Sequence, residues 1–334
     1  MELVFTPDNP APPGPVASTI RAADGMAIRV ARWHPSGPSR GTVLVCQGRA
    51  EFIEKYFEVA RELLERDLTV VVFDWRGQGL SGRELDNSRK GHIDDFLLYE
   101  RDLEALAAQV LEPFCPKPWF ALGHSMGGAI LLSQSRAGRS PFERLVLCAP
   151  LIDIHGLRRP RAARFLVEAL DIVGLGGMFA PGGGATAAIT RDFKTNILTS
   201  DEARYRRMAN VVAASPAVGL GAPTIGWINA AFRCLRQFED PEFAPRTTTP
   251  TLVIAAGDER LVSLPAIERF ATRLKAGLLI VIPHARHEIL MERDVFREQF
   301  WAAFDAFVPG ARDELAALEM ARSAIDGARG KPRI

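Results

Sequence analysis

The feature that most constrains this chain is the stretch at residues 119–128, which reads WFALGHSMGG. Its first four residues are apolar and fit a short buried strand, and the apolar residues after Gly128 fit the start of a buried helix. Between the two, Gly123 and Gly127 flank Ser125 in the pattern G-x-S-x-G. A strand that bends sharply into a helix forces an unfavourable backbone angle on the residue at the bend, and large side chains two positions away would collide. The stretch therefore predicts an exposed serine hydroxyl on a strained turn, as a nucleophile requires.

The composition of the chain sets the size of the fold and excludes one class of partner. With 334 residues, the chain can bury a large core, as one large domain or as a core with an insertion. Its formal net charge of +1 gives no overall field that would attract nucleic acid, so we predict no nucleic-acid partner. The four cysteines lack the spacing of metal ligands, and Cys46 and Cys148 lie in apolar runs. We expect reduced core thiols in a reducing compartment.

The N-terminal residues and one uncharged run bear on where the protein resides. Residues 1–18 read as a flexible leader, and the acidic, proline-rich start lacks the basic residues and apolar middle of a signal peptide. The uncharged run 172–190 contains six glycines and a proline, which a membrane-spanning helix would not favour. We therefore expect a cytoplasmic protein, with peripheral contact at the inner membrane left open.

Continuous apolar runs alternate with helical patterns along most of the chain. The predicted strands are 42–46, 69–73, 119–122, 144–149, 251–256 and 278–282, with an alternating, antiparallel edge strand at 27–33. Helical spacing appears at 54–65 and 99–111. Strands and helices that alternate at this spacing predict a mostly parallel, doubly wound α/β sheet. Together with the serine turn, this pattern resembles the α/β-hydrolase fold.

One long segment interrupts the alternation and divides the chain into predicted units. Between residues 151 and 246 there are helical patterns but no strong buried strand, which predicts a helical cap, or lid, inserted between two strands of the sheet. The predicted units are a flexible leader at 1–18, an α/β-hydrolase core at 19–150 and 247–309, the cap at 151–246, and a charged C-terminal tail at 310–334.

A serine nucleophile needs a base and an acid that orients the base, and in this fold they follow in the order Ser, acid, His. His287, just after the last predicted strand, is the candidate base, and His284 in the same loop is an alternative. Two adjacent carboxylates, Asp258 and Glu259, follow the preceding strand. The usual arrangement in this fold has the acid three residues before an apolar residue, here Val262. This favours Glu259, and Asp258 stays the alternative acid.

Two backbone amides are candidates for stabilising the oxyanion of an acyl-transfer reaction. The turn at Ser125 directs the amide of Met126 towards a developing oxyanion. The resemblance to the fold implies a second donor, the amide of Arg49, in the loop after strand 42–46. That loop often reads H-G-x and here reads Q-G-R, a change of little consequence because the donor is main chain. Such a site needs no metal and no cofactor.

Five longer strings resemble one branch of the α/β-hydrolases, which holds the bacterial lysophospholipases and monoacylglycerol lipases and is grouped with serine-aminopeptidase-like hydrolases. They are QGRAE at 47–51, DWRGQGLSGR at 74–83, KGHI at 90–93, GHSMGG at 123–128 and ARHEIL at 285–290. The resemblance covers roughly residues 20–310 and departs from the pattern at the Asp258–Glu259 pair and in the cap. The first and third strings look more like the lysophospholipases.

The resemblance implies a carboxylic ester hydrolase that acts on a single-chain lipid, a lysophospholipid first, through an acyl-enzyme on Ser125. The alternatives are a monoacylglycerol lipase and a small-ester esterase or aminopeptidase. A more remote alternative is a non-catalytic binding protein with a hydrolase-like fold, although such proteins usually lack one of the three catalytic residues.

The cap carries an apolar stripe, an arginine cluster and a glycine-rich segment. The stripe consists of Phe165, Leu166, Ala169, Leu170 and Val173, and it fits either the lining of an acyl tunnel or packing against the core. The cluster consists of Arg158, Arg159, Arg161 and Arg164, and it fits either contact with an anionic membrane surface or head group, or a solvated face. The segment at 174–184 suits a mobile lid or a tolerated loop.

Overall fold

The computed structural model describes residues 2–157 and 159–309. Arg158 and the predicted tail at 310–334 lie outside the described residues. The continuous apolar runs form the middle of one eight-stranded sheet with the spatial order β1-β2-β4-β3-β5-β6-β7-β8. The strands are β1 (Val16–Arg21), β2 (Ala27–Trp33), β3 (Thr42–Cys46), β4 (Thr69–Phe73), β5 (Trp119–His124), β6 (Arg144–Cys148), β7 (Thr251–Ala256) and β8 (Gly277–Ile282). Strand β2 runs antiparallel to β1 and β4, and all neighbours from β4 to β8 are parallel. The predicted mostly parallel sheet is confirmed.

The antiparallel edge of the sheet differs from the sequence prediction. Strand β2 was expected at the edge, but β1 pairs along its outer side, so β2 is an inner strand. Strand β1 begins within the predicted leader, and Leu3 in the same segment is buried. The Asn9 side chain also donates a 2.9 Å hydrogen bond to the carbonyl of Glu54. The described part of the predicted leader is therefore held against the core. The strand was missed because four of its six residues are exposed and three of those are polar, which hides the strand pattern.

Helices cover both faces of the sheet. They are α1 (Phe57–Leu64), α2 (Leu97–Leu106), α3 (Glu112–Phe114), α4 (Met126–Arg136), α5 (Pro160–Leu170), α6 (Glu202–Ala214), α7 (Ile225–Phe238), α8 (Phe243–Arg246), α9 (Leu264–Ala271) and α10 (Asp294–Phe307). Helices α1 and α10 share one apolar cluster with Val43 and Val45, whereas α2, α4 and α9 share another with Leu44 and Cys46. Because successive side chains of a strand point to opposite faces, a strand covered on both faces is apolar throughout.

Helices α5 to α8 occupy the chain between β6 and β7, where the sequence predicts the cap. The ring of His92, from the core, lies 2.9 Å from the hydroxyl of Thr224, which caps the N-terminus of α7. On α6, Arg204 pairs with Glu58 of α1 and Asp294 of α10. The segment predicted to form the cap is thus fastened to the rest of the structure by polar contacts at two separate places.

Three of the five residues of the predicted apolar stripe, which begins in α5, point to solvent, whereas Ala169 and Leu170 are half-buried. Phe165, Leu166 and Val173 are 74%, 57% and 69% exposed, so they neither pack against the core nor line a tunnel. Ala163 and Val167 of the same helix pack against the core instead. Helical spacing identifies which residues share a face, but it does not tell which face is covered by neighbouring elements. No helix within residues 2–157 and 159–309 has the length and apolar character needed to cross a membrane.

Candidate active site

Ser125 lies at the junction between strand β5 and helix α4. Its backbone angles are φ 48° and ψ −112°, a strained conformation for a residue with a side chain. Neighbouring backbone holds this bend, since the amide of Ser125 donates to the carbonyl of Cys148 at 3.0 Å. The amide of Leu151 donates to the carbonyl of Ser125, also at 3.0 Å. The predicted strand-turn-helix is therefore present, with Ser125 at the strained position.

Gly127 is required by the close approach of helix α4 to strand β3. A Cβ atom at Gly127 would lie 2.1 Å from the carbonyl oxygen of Cys46. At Gly123, a Cβ atom would lie 2.7 Å from the side chain of Leu131 and 3.0 Å from the backbone of Gly128. These are the collisions that the G-x-S-x-G pattern predicts.

His287 and Glu259 form a buried pair at the carboxyl ends of β8 and β7. The Nδ1 atom of His287 lies 2.8 Å from Oε2 of Glu259, and both side chains are almost fully buried. The other carboxylate oxygen accepts hydrogen bonds from the backbone amides of Arg260, Leu261 and Val262. Burial alone would raise the pKa of Glu259, but its hydrogen bonds to His287 and to these amides lower the pKa overall. Glu259 is thus an ionised and firmly oriented carboxylate.

The two alternative residues lie apart from this pair. Asp258 forms an ion pair with Arg260, and its side chain is 38% exposed. His284 is exposed as well. The structure therefore brings Glu259, and not Asp258, to His287.

The amides of Arg49 and Met126 lie at the ends of two adjacent strands. Cys46 and Gly123 are partners in the register of β3 and β5, so the loops that follow them meet above the sheet. Both residues line the same cavity as Ser125. Within the described part of the chain, no hydrogen bond uses the amide of Arg49 or of Met126. Likewise, no hydrogen bond among these residues joins the Ser125 hydroxyl to His287, so that contact stays a prediction.

A buried polar network in the wall of the active-site cavity was missed by the sequence analysis. Glu51 accepts hydrogen bonds from Lys55 Nζ at 2.8 Å and from the Tyr56 hydroxyl at 2.7 Å, and its Oε1 atom lies 2.9 Å from His124 Nδ1. Lys55 also pairs with Glu288 at 2.6 Å. Burial would raise the pKa of Glu51, but His124 and Lys55 hold it well below its usual range. Glu51, His124 and Glu288 all lie within the strings that resemble known hydrolases, which was the available signal.

The cavity above Ser125 has a volume of about 340 Å³ and reaches under the cap. Most of its wall is apolar and includes Leu151, Ala187, Leu198, Met208, Leu220 and Trp227. A larger cavity, of about 580 Å³, lies between α7 and α9 and contains none of the predicted site residues. An apolar pocket next to a reactive group is a common form of small-molecule site.

Comparison with known proteins identifies the family. A family model described as "Serine aminopeptidase, S33" matches residues 37–294 of the chain. The chain belongs to this family. Lysophospholipase L2 of Escherichia coli strain K12 is 32% identical to this S33-family member over 286 residues, and the match covers 82% of each chain. Monoacylglycerol lipase of Mycolicibacterium smegmatis is 26% identical over 273 residues, which cover 80% of this chain and 88% of that lipase.

Solved structures similar to this S33-family member have the same fold. A soluble variant of monoglyceride lipase from Saccharomyces cerevisiae, in complex with a substrate analog, has a TM-score of 0.68 at 19% identity, covering 87% of this chain and 94% of that one. A thermostable carboxyl esterase from Bacillus coagulans, in complex with glycerol, has a TM-score of 0.70 at 17% identity, covering 89% and 98%. The predicted α/β-hydrolase fold is confirmed. With the family established, the chain is a carboxylic ester hydrolase.

Proposed function

We propose that this S33-family member hydrolyses the ester of a single-chain lipid, a lysophospholipid in preference to a monoacylglycerol. The observation that carries the proposal is the arrangement of Ser125 and His287 on the wall of one largely apolar cavity. An apolar wall beside a serine and a histidine suits an acyl chain whose ester carbonyl has to reach the serine hydroxyl. The similarity to lysophospholipase L2 supports the choice of head group.

In the proposed mechanism, His287 takes the proton of the Ser125 hydroxyl while the serine oxygen attacks the ester carbonyl. The amides of Arg49 and Met126 donate hydrogen bonds to the resulting oxyanion. His287 then gives its proton to the leaving alcohol, which leaves an acyl-enzyme on Ser125. A water molecule, deprotonated by His287, attacks the acyl group and releases the fatty acid. The 2.8 Å contact between His287 and Glu259 supports Glu259 as the acid that orients the base.

The charges of the cavity wall argue against the aminopeptidase alternative. An aminopeptidase needs a free carboxylate to hold the substrate's amino group. The two carboxylates that line the cavity, Glu51 and Glu288, are both paired with Lys55. Neither is therefore available for a substrate amine, and the ester-hydrolase function is favoured.

The decisive experiment measures fatty-acid release from a lysophospholipid and from a monoacylglycerol with the same acyl chain. The Ser125→Ala variant is the control. We expect faster release from the lysophospholipid, and no release from either substrate with the variant. Faster release from the monoacylglycerol would be compatible with the proposed mechanism but would reject the proposed preference for a phospholipid head group. Release that survives the substitution would reject Ser125 as the nucleophile.

We also propose that the cap touches an anionic membrane surface, which places the protein at the inner face of the membrane in the cytoplasm. Phe165, Leu166 and Val173 are exposed on the outer face of the cap, and Arg159 and Arg161 are exposed beside them. Apolar side chains flanked by cations are the composition of an interfacial membrane helix. All four cysteines are buried free thiols, which is consistent with a reducing compartment.

A further inference from the structure

Arg49 brings a positive charge to the active-site cavity without a carboxylate beside it. Its Nη2 atom donates a 3.0 Å hydrogen bond to the carbonyl of Gly221, and its guanidinium lies 5.1 Å from the ring centre of Trp227. Its Nε atom is buried and has no hydrogen-bond partner among the described residues. No ion pair in the described part of the chain includes Arg49, so none of these residues neutralises its charge.

The other charged groups on the cavity wall are matched to each other. Lys55 is shared by Glu51 and Glu288, and His124 contacts Glu51. His287 is paired with Glu259, which lies behind it. Every carboxylate on the wall therefore already has a cationic or imidazole partner. Arg49, in contrast, has no carboxylate partner among the described residues.

Keeping such a cation in an apolar cavity is costly to the fold. Burial lowers the pKa of Arg49 to about 10, a value at which the guanidinium is still protonated at neutral pH. A buried charge without a counter-ion destabilises the folded state unless a ligand supplies that counter-ion. A planar guanidinium is well suited to bind two oxygen atoms of one phosphate or carboxylate group.

We propose that the Arg49 side chain binds the phosphodiester of a lysophospholipid and thereby selects an anionic head group over a neutral glycerol. The inference rests on the proposed function and deepens it. The backbone amide of Arg49 is the predicted donor to the ester oxyanion, and its side chain extends from there towards the cap. In a lysophospholipid, one glycerol unit separates the phosphodiester from the ester carbonyl, so the two groups lie close enough for one residue to reach both. One residue thus contacts both groups, the reacting carbonyl through its main chain and the phosphate through its side chain.

The test uses two ether-linked ligands that cannot be hydrolysed, a 1-O-alkyl-glycerophosphoglycerol and the 1-O-alkylglycerol with the same short alkyl chain. Calorimetry measures the binding of both to the wild-type protein and to Arg49→Met. We expect the preference of the wild-type protein for the phosphodiester to fall by about tenfold to hundredfold in Arg49→Met, the range for a lost charge-assisted hydrogen bond. Arg49→Lys should retain part of the preference, because it keeps the charge but loses the planar fork.

Arg144→Met is the matched control. Arg144 also donates to a backbone carbonyl, that of Phe307 at 2.6 Å, and its guanidinium lies 5.2 Å from the Phe307 ring, but it is not on the cavity wall. We expect the affinities of both ligands to stay unchanged in Arg144→Met. The melting temperature gives a second readout, since removing a cation without a counter-ion should not lower it, whereas removing a structural arginine should.

Three results would overturn the role of Arg49. In the first, the wild-type protein does not prefer the phosphodiester ligand, and in the second, the preference survives in Arg49→Met. In the third, Arg49→Met loses affinity for both ligands equally and has a lower melting temperature. None of these measurements requires ester cleavage. A protein that binds the phosphodiester through Arg49 but does not cleave the corresponding ester would reject the proposed function and leave the anion site in place.

Discussion

His124 connects the predicted oxyanion loop to the predicted base, because its two ring nitrogens contact opposite sides of the site. Its Nδ1 atom lies 2.9 Å from Oε1 of Glu51, and its Nε2 atom lies 3.3 Å from the backbone oxygen of His287. Glu51 in turn accepts the amide of Gly48, which precedes Arg49. The side chain next to Ser125 therefore ties together the two loops on either side of the serine. Both contacted oxygens are acceptors, so the protonated imidazole, which carries N–H on both nitrogens, is the form that suits the two contacts.

The His124 link predicts an unusual dependence of stability on pH. Burial alone would lower the pKa of His124, but Glu51 raises it above the ordinary value. A histidine whose pKa is higher in the folded than in the unfolded protein adds to the free energy of unfolding. This contribution is complete below the unfolded-state pKa of about 6.5 and disappears as the pH rises through the folded-state pKa. We expect His124→Asn to lower the free energy of unfolding most near pH 6 and less at alkaline pH. Urea denaturation over that range measures the trend.

His34 provides a control of opposite sign for this measurement. Burial lowers the pKa of His34, so its contribution to stability improves as the pH rises through the unfolded value. The cost of His34→Asn should therefore be smaller near pH 6 than at alkaline pH. Parallel trends for the two variants would contradict the raised pKa of His124.

The adjacent carboxylates Asp258 and Glu259 allow a matched test of the orienting acid. Glu259→Gln should lower kcat by about 10³ to 10⁴-fold, as the loss of a triad carboxylate does, because a neutral amide cannot stabilise the imidazolium of His287. Asp258→Asn should change kcat by no more than about twofold, since Asp258 pairs with Arg260 at the surface. Steady-state kinetics on one ester, with a melting curve for each variant, separates the two. A larger effect at Asp258 would reverse the assignment.

The approach of helix α4 to strand β3 makes Gly127 intolerant of any side chain. Gly127→Ala would place a methyl group 2.1 Å from the carbonyl oxygen of Cys46, and one of the two backbones would have to move. We expect a loss of about 2 to 5 kcal/mol in the free energy of unfolding, or no folded protein at all. Gly37→Ala is the control, because a methyl group there meets no atom within 4 Å. That variant should stay within about 0.5 kcal/mol of wild type, and equal losses would refute the steric explanation.

Exposed apolar residues of α5 should govern binding to lipid vesicles. The double variant Phe165→Ser, Leu166→Ser removes two side chains that the proposed membrane contact buries. We expect at least about a tenfold weaker binding to phosphatidylglycerol-containing vesicles in a co-sedimentation assay. The double variant Leu278→Ser, Val295→Ser removes two residues that are 56% and 55% exposed elsewhere on the surface, and its binding should be unchanged. Equal effects of the two double variants would exclude α5 as the contact.

The sheet could be predicted closely because burial on both faces leaves a direct trace in the sequence. Strands β3 and β4 have the predicted bounds, since every one of their residues is buried and each flanking loop is polar or glycine-rich. Strand β1 could not be predicted, because most of its residues face solvent and only its pairing with β2 makes it a strand. The formation of such a strand depends on hydrogen bonds to its neighbour in the sheet, which its own sequence does not reveal.

In the candidate site, too, some features could be predicted from the sequence and others could not. Ser125, His287 and the pair Asp258–Glu259 could be located from their order along the chain, because each follows a recognisable strand, and the spacing from Val262 favoured Glu259 within the pair. The strings that contain Glu51 and His124 could be recognised, but the contact between these residues could not, since they come from distant parts of the chain and share no periodic pattern. The exposure of Phe165 and Leu166 on α5 could not be predicted either, because it depends on which neighbouring elements cover the helix.

The position of the cap between β6 and β7 has a consequence for how this protein can change over evolutionary time. The predicted reactive groups follow β3, β5, β7 and β8, whereas much of the cavity wall comes from one contiguous stretch of the chain. A single recombination between relatives, or a short duplication within that stretch, can therefore exchange much of the apolar cavity wall as one unit, while Arg49 stays with the sheet. The catalytic geometry is inherited separately, with the sheet.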